Sequence, residues 1–470
     1  MDDEDAQVRS GNTTPDAADA GRGGRNPTAE GDGAESFTAT AGRTKAEVAT
    51  QLMEQVVERG NMWKAYERVV RNKGAPGADG MRVDDLRAWL QAHWASVKAA
   101  LLAGIYLPRE VRAVDIPKPS GGVRTLGVPT VVDRLIQQAL LQVLQPIFEP
   151  RFSESSYGFR PGRNAWQAVQ AARDHVRSGK GWVADIDLAK FFDRVNHDML
   201  MARVRREVRD ERVLGVIRRF LEAGLMREGL VQQRREGTPQ GGPLSPLLSN
   251  IVLNDLDGEL ERRGHAFVRY ADDCNVYLAS RKAAEHAFEV IGQYLESDLK
   301  LQVNRDKSAV ARASTRDFLG YGLIGRETAR LKVAAASVVR LRQKAKAVLR
   351  AKRGAGLEAI VEALNPLLRG WTSYFRWAEV KGVWQDVDGW IRRKLRCRLW
   401  RYCKRPAARV NTLMKQGLTR ERAWRSATNG RGAWWNSGAS HMNAAFPKSF
   451  FDRMGLVSLV DTHRRFQHHS

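Results

Sequence analysis

The sequence predicts an α+β fold, with a mixed unit of short strands and helices in the middle of the chain and an all-helical unit after it. Three observations predict it. Short apolar segments bounded by turn residues, VRAVDIPKPSGGVRTLGVPT, WVADIDL and FVRYADDCNVYL, read as strands and hairpins. Amphipathic helical runs lie between them, the clearest from Val132 to Phe148. From about residue 335 onward the periodicity is helical.

The elements follow in order. Residues 1–44 are rich in Gly, Ala, Asp and Thr and poor in large apolar side chains, so a disordered tail is expected. Residues 45–105 read as a helical N-terminal extension, interrupted by the turn GAPGADG at 74–80. Two extended segments joined at Ser120, Gly121 and Gly122 predict a β-hairpin, and Trp182–Leu188 predicts a short strand. Ser245 and Pro246 suit the N-cap and first position of a helix that ends at Arg262, Arg263 and Gly264. Three helices are expected between about residues 335 and 404, and 406–470 carries only weak signals.

Composition narrows the class. The 470 residues, 43% of them hydrophobic, suffice for two to four domains at roughly 100–200 residues each. Cys274, Cys397 and Cys403 form no CxxC pair, so neither a disulfide framework nor a zinc site of the usual spacing is expected. The N-terminus lacks a signal-peptide pattern, and no segment approaches the roughly 20 apolar residues of a membrane span, so the expectation is a soluble cytoplasmic protein with no membrane partner. The net charge is +24, and residues 331–470 hold 29 Lys+Arg against 8 Asp+Glu, hence +21 of it. Such asymmetry points to a polyanion bound through the C-terminal part. Eight of the 13 Trp also fall there, suited to base stacking or to helix packing.

The chemistry is concentrated in FVRYADDCNVYL, where Asp272 and Asp273 interrupt an apolar run and sit at the expected tip of a hairpin. A second acidic strand, VADIDLAKFFDRVNHDML, supplies Asp185 and Asp187. Oxygen-only ligands from two strands suit Mg²⁺, and a pair of such ions serves phosphoryl-type displacement.

These motifs resemble the reverse transcriptases, and among them the bacterial group II intron-encoded proteins of the endonuclease-lacking type. The likeness runs in order through IPKPSGGVRTLGVPT, SSYGFRPGR, DLAKFFDRVNHDML, GTPQGGPLSPLLSNIVLNDLD, RYADDCNVYL, LKLQVNRDKSAV and FLGYG. LNPLLRGWTSYFR and WIRRKLRCRLWRYCKRP are similar to the maturase domain, or domain X. The resemblance implies a right-hand polymerase: fingers and a ferredoxin-like palm over 106–328, an all-α thumb/maturase domain over 329–405, and a basic DNA-binding-like segment over 406–470. It implies that Asp187, Asp272 and Asp273 are catalytic and hold two Mg²⁺ ions. Asp185 shares a strand face with Asp187, but only from Asp187 does an aromatic, Phe192, fall five positions on as in the family pattern.

By the same resemblance Phe192 is the sugar gate, Lys118 and Arg124 bind the triphosphate, Gln240 and Gly241 lie beneath the incoming nucleotide, and Lys307 serves the leaving group. Arg369, Trp371, Arg392, Arg393, Lys394 and Arg396 are the implied RNA contacts. The implied partners are group II intron RNA, a DNA target or primer, and dNTPs, in a nucleoid-associated ribonucleoprotein. The implied activity is RNA-directed DNA synthesis together with assistance to splicing. The alternatives are a retron-like or defence-associated reverse transcriptase, and a splicing cofactor alone. Residues 406–470 show no HNH arrangement, so no second-strand nuclease is expected.

Overall fold

A computed structural model describes residues 51–117, 122–227, 230–232, 236–238, 241–325 and 328–468. The expected tail over 1–44, the hairpin residues Ser120 and Gly121, and the site candidates Lys118 and Gln240 lie outside the described residues. The described chain divides into two compact units, 51–313 and 314–468.

The first unit opens with helices α1 (Leu52–Val56), α2 (Arg59–Asn72) and α3 (Leu86–Leu102). The Glu58 carboxylate accepts from the backbone N–H groups of Gly60 and Asn61 and so caps α2. Strands β1 (Val111–Pro117) and β2 (Val123–Val128) form the expected antiparallel hairpin, with Ile116 opposite Arg124. Helix α4 (Val131–Phe148) is capped by the Thr130 hydroxyl and buries Leu135, Ile136, Leu140 and Leu144 in the core. Next come α5 (Ala165–Arg177), strand β3 (Trp182–Ile186), the short α6 (Phe191–Arg194), α7 (His197–Glu207) and α8 (Glu211–Glu222).

Two three-residue strands, β4 (Leu225–Arg227) and β5 (Leu230–Gln232), extend the first hairpin into a sheet ordered β2-β1-β4-β5. They escape sequence reading because three residues carry too little alternation to detect. Helix α9 (Ser245–Arg262) begins one residue earlier than expected: Leu244 is its N-cap, and Ser245 and Pro246 are its first two helical residues. Its C-terminal end is as predicted, with Arg263 as C-cap and Gly264 at φ 70°.

Strands β6 (Ala266–Tyr270) and β7 (Asp273–Leu278), helix α10 (Arg281–Ser297) and strand β8 (Ala309–Arg312) complete the unit. The second sheet runs β6-β7-β3-β8 and is antiparallel throughout. Helices α5 and α10 pack on it. This sheet carries the acidic residues.

The second unit is not wholly helical, since an antiparallel pair, β9 (Tyr321–Ile324) and β10 (Arg330–Val333), precedes the helices. Then come α11 (Ala335–Ala351), α12 (Leu357–Tyr374) and α13 (Gly382–Tyr402), as the periodicity predicts. Residues 406–468 fold into six further helices, the last being Leu459–His468, and they pack back on α13. Asp388 of α13 is buried and ties this region down, accepting from Ser458 Oγ and Leu459 N at 2.9 Å each. Among the described residues no helix is long and apolar enough to cross a membrane.

Candidate active site

The register of the second sheet brings the two acidic motifs level. Ile186, the last residue of β3, pairs with Cys274 of β7, so the next residue, Asp187, comes out beside Asp273. Tyr270 pairs with Asp273 across the β6–β7 hairpin, which leaves Ala271 and Asp272 as its two-residue loop. Ala271 takes the left-handed φ of 56°, uncommon for a residue with a Cβ. Asp187 and the consecutive pair Asp272 and Asp273, far apart in sequence, thus meet at one end of three adjacent strands.

Their electrostatics show the crowding. Burial pushes the Asp272 carboxyl up, Asp187 pushes the same way, and Arg124 and Lys307 oppose. Asp273 opens to solvent at the lip of the site, yet the atoms around it and repulsion from Asp272, Asp187 and Asp185 push it up to about 7. Asp185 therefore contributes to the field even though its register position is opposite Asn275, one pair back from the strand end. An anionic cluster of this kind is short of positive charge, which a divalent cation supplies. The donor set is all oxygen, as hard cations prefer.

Asp187 is the best anchored of the three. Its backbone N–H donates to Ser308 Oγ at 2.9 Å, its Oδ1 accepts from Asn304 Nδ2 at 3.0 Å, and Lys307 Nζ lies 3.6 Å from its Oδ2. The segment NRDKS thus wraps the acid from three sides. Sequence reading singled out Lys307 but missed Asn304 and Ser308, although they flank it within five residues. With Asp187 turned toward this segment, no three Asp, Glu, His or Cys side chains among the described residues close into a ready-made metal cage. The fit to a divalent ion rests on the donor chemistry and the shortage of positive charge.

The other candidates frame the acids. Arg124 projects from β2 as an exposed cation whose charge reaches Asp272. Phe191 is buried in the core, whereas Phe192 is half-buried against it, the two rings 5.2 Å apart edge to face. Phe192 O accepts from Thr238 N, so Thr238 lies against the short helix that carries the ring. Gly241 has φ 135°, and a Cβ there would stand 2.6 Å from the Gly127 carbonyl oxygen of β2, so only glycine permits this approach.

Residues 116–323 match the family model for reverse transcriptase (RNA-dependent DNA polymerase), and residues 338–417 match that for the group II intron maturase-specific domain. Protein YkfC of Escherichia coli strain K12 is 33% identical over 315 residues, which is 58% of this chain and 83% of YkfC. The chain belongs to the group II intron-encoded reverse transcriptase/maturases. The group II intron-encoded protein LtrA of Lactococcus lactis subsp. cremoris is 26% identical over 352 residues, 61% of this chain and 58% of LtrA. A putative COX1/OXI3 intron 1 protein of Saccharomyces cerevisiae is 31% identical over 200 residues, 42% of this chain and 24% of that protein. As a reverse transcriptase/maturase the chain is an RNA-directed DNA polymerase, of a family that in general depends on divalent metal.

In the reverse transcriptase/maturase's second unit, the expected RNA contacts separate by burial. Trp371 packs inward, edge to face with the fully buried Trp384 at 5.1 Å, and Arg396 is buried with its Nε donating to the Phe446 carbonyl at 2.9 Å. Burial lowers the Arg396 guanidinium to about 10. Arg396 is thus covered by the helices that follow residue 405, whereas Trp371, in α12, is half-buried against α13. Arg392 is engaged with Asp388 at 3.7 Å, while Arg369 is exposed. Arg393 and Lys394 instead lie over the Trp434 ring, at 4.1 and 4.4 Å from its centre.

Sequence reading missed the partner of this second face. A cavity of about 450 Å³ lies between α11 and α13, lined by Lys346 and Arg350 of α11, by Arg353 in the turn just after it, and by Lys394, Arg398 and Arg401 of α13. Trp434 also lines it, and no carboxylate does. Lys394 is held below the usual lysine range by burial and by repulsion from Lys346, Arg401 and Arg393.

Proposed function

We propose that this chain copies its own intron RNA into DNA by target-primed reverse transcription, using Asp187, Asp272 and Asp273 as the catalytic carboxylates, and that it binds the same RNA to promote splicing. The observation that carries the catalytic assignment is the strand register that brings Asp187 level with Asp273 beside the loop residue Asp272. The three carboxylates would hold two Mg²⁺ ions, which when bound supply activation of the primer 3′-hydroxyl and neutralise the departing pyrophosphate.

The chain's own residues do the remaining work. Arg124, with Lys118, binds the triphosphate of the incoming dNTP, the planar fork of Arg suiting phosphate oxygens. The Phe192 ring packs against the sugar and cannot hydrogen-bond a ribose 2′-hydroxyl. Gly241, with Gln240, lets the backbone come close beneath the nucleotide. Lys307, 3.6 Å from the Asp187 carboxylate, serves the leaving group with its proton and charge.

The RNA grip belongs to the α11–α13 cavity, whose six crowded cations match a phosphate backbone, with Arg393 and the half-open Trp434 at its edge. Trp424, Trp434 and Trp435, at 57%, 40% and 51% exposure, are the tryptophans of this unit open to stacking on bases, in a segment we assign to DNA contact. The working form is a ribonucleoprotein in the cytoplasm, close to the nucleoid.

Asp272→Ala separates the two activities. Losing a metal ligand costs several kcal/mol of transition-state stabilisation, and about 1.4 kcal/mol is tenfold in rate, so RNA-templated primer extension falls by orders of magnitude. Splicing by the wild-type intron with the variant protein continues. Extension near the wild-type rate would show the site misplaced.

A further inference from the structure

Beneath the acidic turn lies a guanidinium that takes no part in the chemistry described so far. Arg269, the next-to-last residue of β6, and Asp257, in α9, are both fully buried. Arg269 Nε and Nη2 donate to the two carboxylate oxygens of Asp257 at 2.7 and 2.6 Å. Its remaining nitrogen, Nη1, donates to Asn250 Oδ1 at 3.0 Å and to the Ala271 carbonyl oxygen at 2.9 Å. Asn250 turns its own Nδ2 to the Gly158 carbonyl, 2.9 Å away, which closes the network on the far side.

The Ala271 carbonyl belongs to the peptide group whose nitrogen is that of Asp272. Holding that oxygen therefore sets the plane of the peptide that carries the loop carboxylate. Ala271 is also the left-handed residue, and a residue with a Cβ keeps such a conformation only where the surroundings over-determine it. A buried ion pair by itself is weak evidence for stability, because desolvation offsets its attraction and an apolar pair packs as well. What an apolar pair cannot do is donate a directed hydrogen bond to the Ala271 carbonyl.

We propose that Arg269, oriented by Asp257 and Asn250, is a positioning residue that locks Ala271 left-handed and thereby aims Asp272 and Asp273 at the divalent-cation site, without touching metal or substrate. The inference rests on the catalytic reading of those aspartates. Arg269→Lys keeps the charge but loses the fork, and groups that orient metal ligands cost about 10- to 100-fold in metal affinity when lost. Glycine adopts φ 56° without the Cβ penalty, so Ala271→Gly relaxes the need for the clamp.

The experiment measures Mn²⁺ binding to the full-length protein by electron paramagnetic resonance, alongside the Mg²⁺ dependence of extension. The expected result is at least about tenfold weaker Mn²⁺ binding in Arg269→Lys, with the loss at least partly reversed in the Arg269→Lys/Ala271→Gly double variant. Unchanged Mn²⁺ binding in Arg269→Lys overturns the proposal, as does a loss that Ala271→Gly leaves untouched. Should Arg269→Lys not fold, the melting temperature of Ala271→Gly decides. Relief of a strained alanine raises or preserves it, whereas a fall shows an unstrained residue and refutes the clamp. Extension by Asp272→Ala reports separately on the active site, since full extension there refutes the site and says nothing against Mn²⁺ weakening at Arg269.

Discussion

Gly158→Ala tests how finely the acidic turn is placed. A Cβ on Gly158 would stand 2.2 Å from Ala271 N, 2.9 Å from Tyr270 C and 3.0 Å from Ala271 Cα, all backbone atoms, where ordinary contact starts near 3.4 Å. Relief needs a separation of about 1.2 Å between the 155–158 segment and the turn. Neither side yields easily, because Tyr157 N donates to Arg269 O, Arg269 N to Ser155 O, and Asn250 Nδ2 to Gly158 O, each at 2.9 Å. Overpacking of this kind costs about 1–3 kcal/mol of stability, and displacing a reacting group by ~1 Å costs about 100-fold in rate. Single-nucleotide incorporation on an RNA template should therefore fall about 100-fold while affinity for intron RNA is kept, since the proposed RNA grip lies in the other unit. Gly258→Ala, on an open face of α9, is the control and should stabilise the fold by up to ~1 kcal/mol. A folded Gly158→Ala protein that extends within about threefold of wild type would refute the reasoning, because the turn would then tolerate a shift of this size.

Three further outcomes follow. Phe192→Ala should raise ribonucleotide incorporation by roughly tenfold or more, read as the rNTP to dNTP ratio of kcat/KM, and an unchanged ratio would remove the gate assignment. The paired variant Lys346→Gln/Lys394→Gln should lower intron RNA affinity and reduce the slope of log K against log salt by about two, while an unaltered slope would take the phosphate contact away from the α11–α13 cavity. Asp273→Asn should raise the melting temperature of chelator-treated protein at pH 7.5. The raised Asp273 carboxyl binds its proton more tightly in the fold than when unfolded, so its ionisation destabilises the fold as pH rises from about 4 toward 7. The gain should vanish near pH 4, and equal gains at both values would refute the cause.

Much of the catalytic half was legible in sequence because its signals are local. The apolar run broken by YADD announces a hairpin with acids at its tip, and β6, β7 and their two-residue loop carry it out. The spacing from Asp187 to Phe192 falls within one strand end and one short helix. Less legible were Asn304 and Ser308, whose roles depend on the chain returning past β3 more than a hundred residues later. The Arg269–Asp257 pair was invisible for a different reason. Arg269 reads as an ordinary polar interruption in a strand, and only the helix lying against it takes it out of water.

The basic C-terminal region makes the same division sharper. In WIRRKLRCRLWRY, helical periodicity assigns Arg392 and Arg396 to one face of α13 and Lys394, Arg398 and Arg401 to another, but it does not say which face meets water. By itself the amino-acid order determined the kind of chemistry, the strands and helices that carry it, and the place where positive charge accumulates. Tertiary packing alone decided that Trp371 and Arg396 face inward, that Trp434 lies at the edge of a cationic cavity, and that a buried guanidinium holds the turn before Asp272. Short-range hydrogen bonding and side-chain period act between near neighbours, whereas the cost of removing a charge from water depends on which distant elements come to cover it.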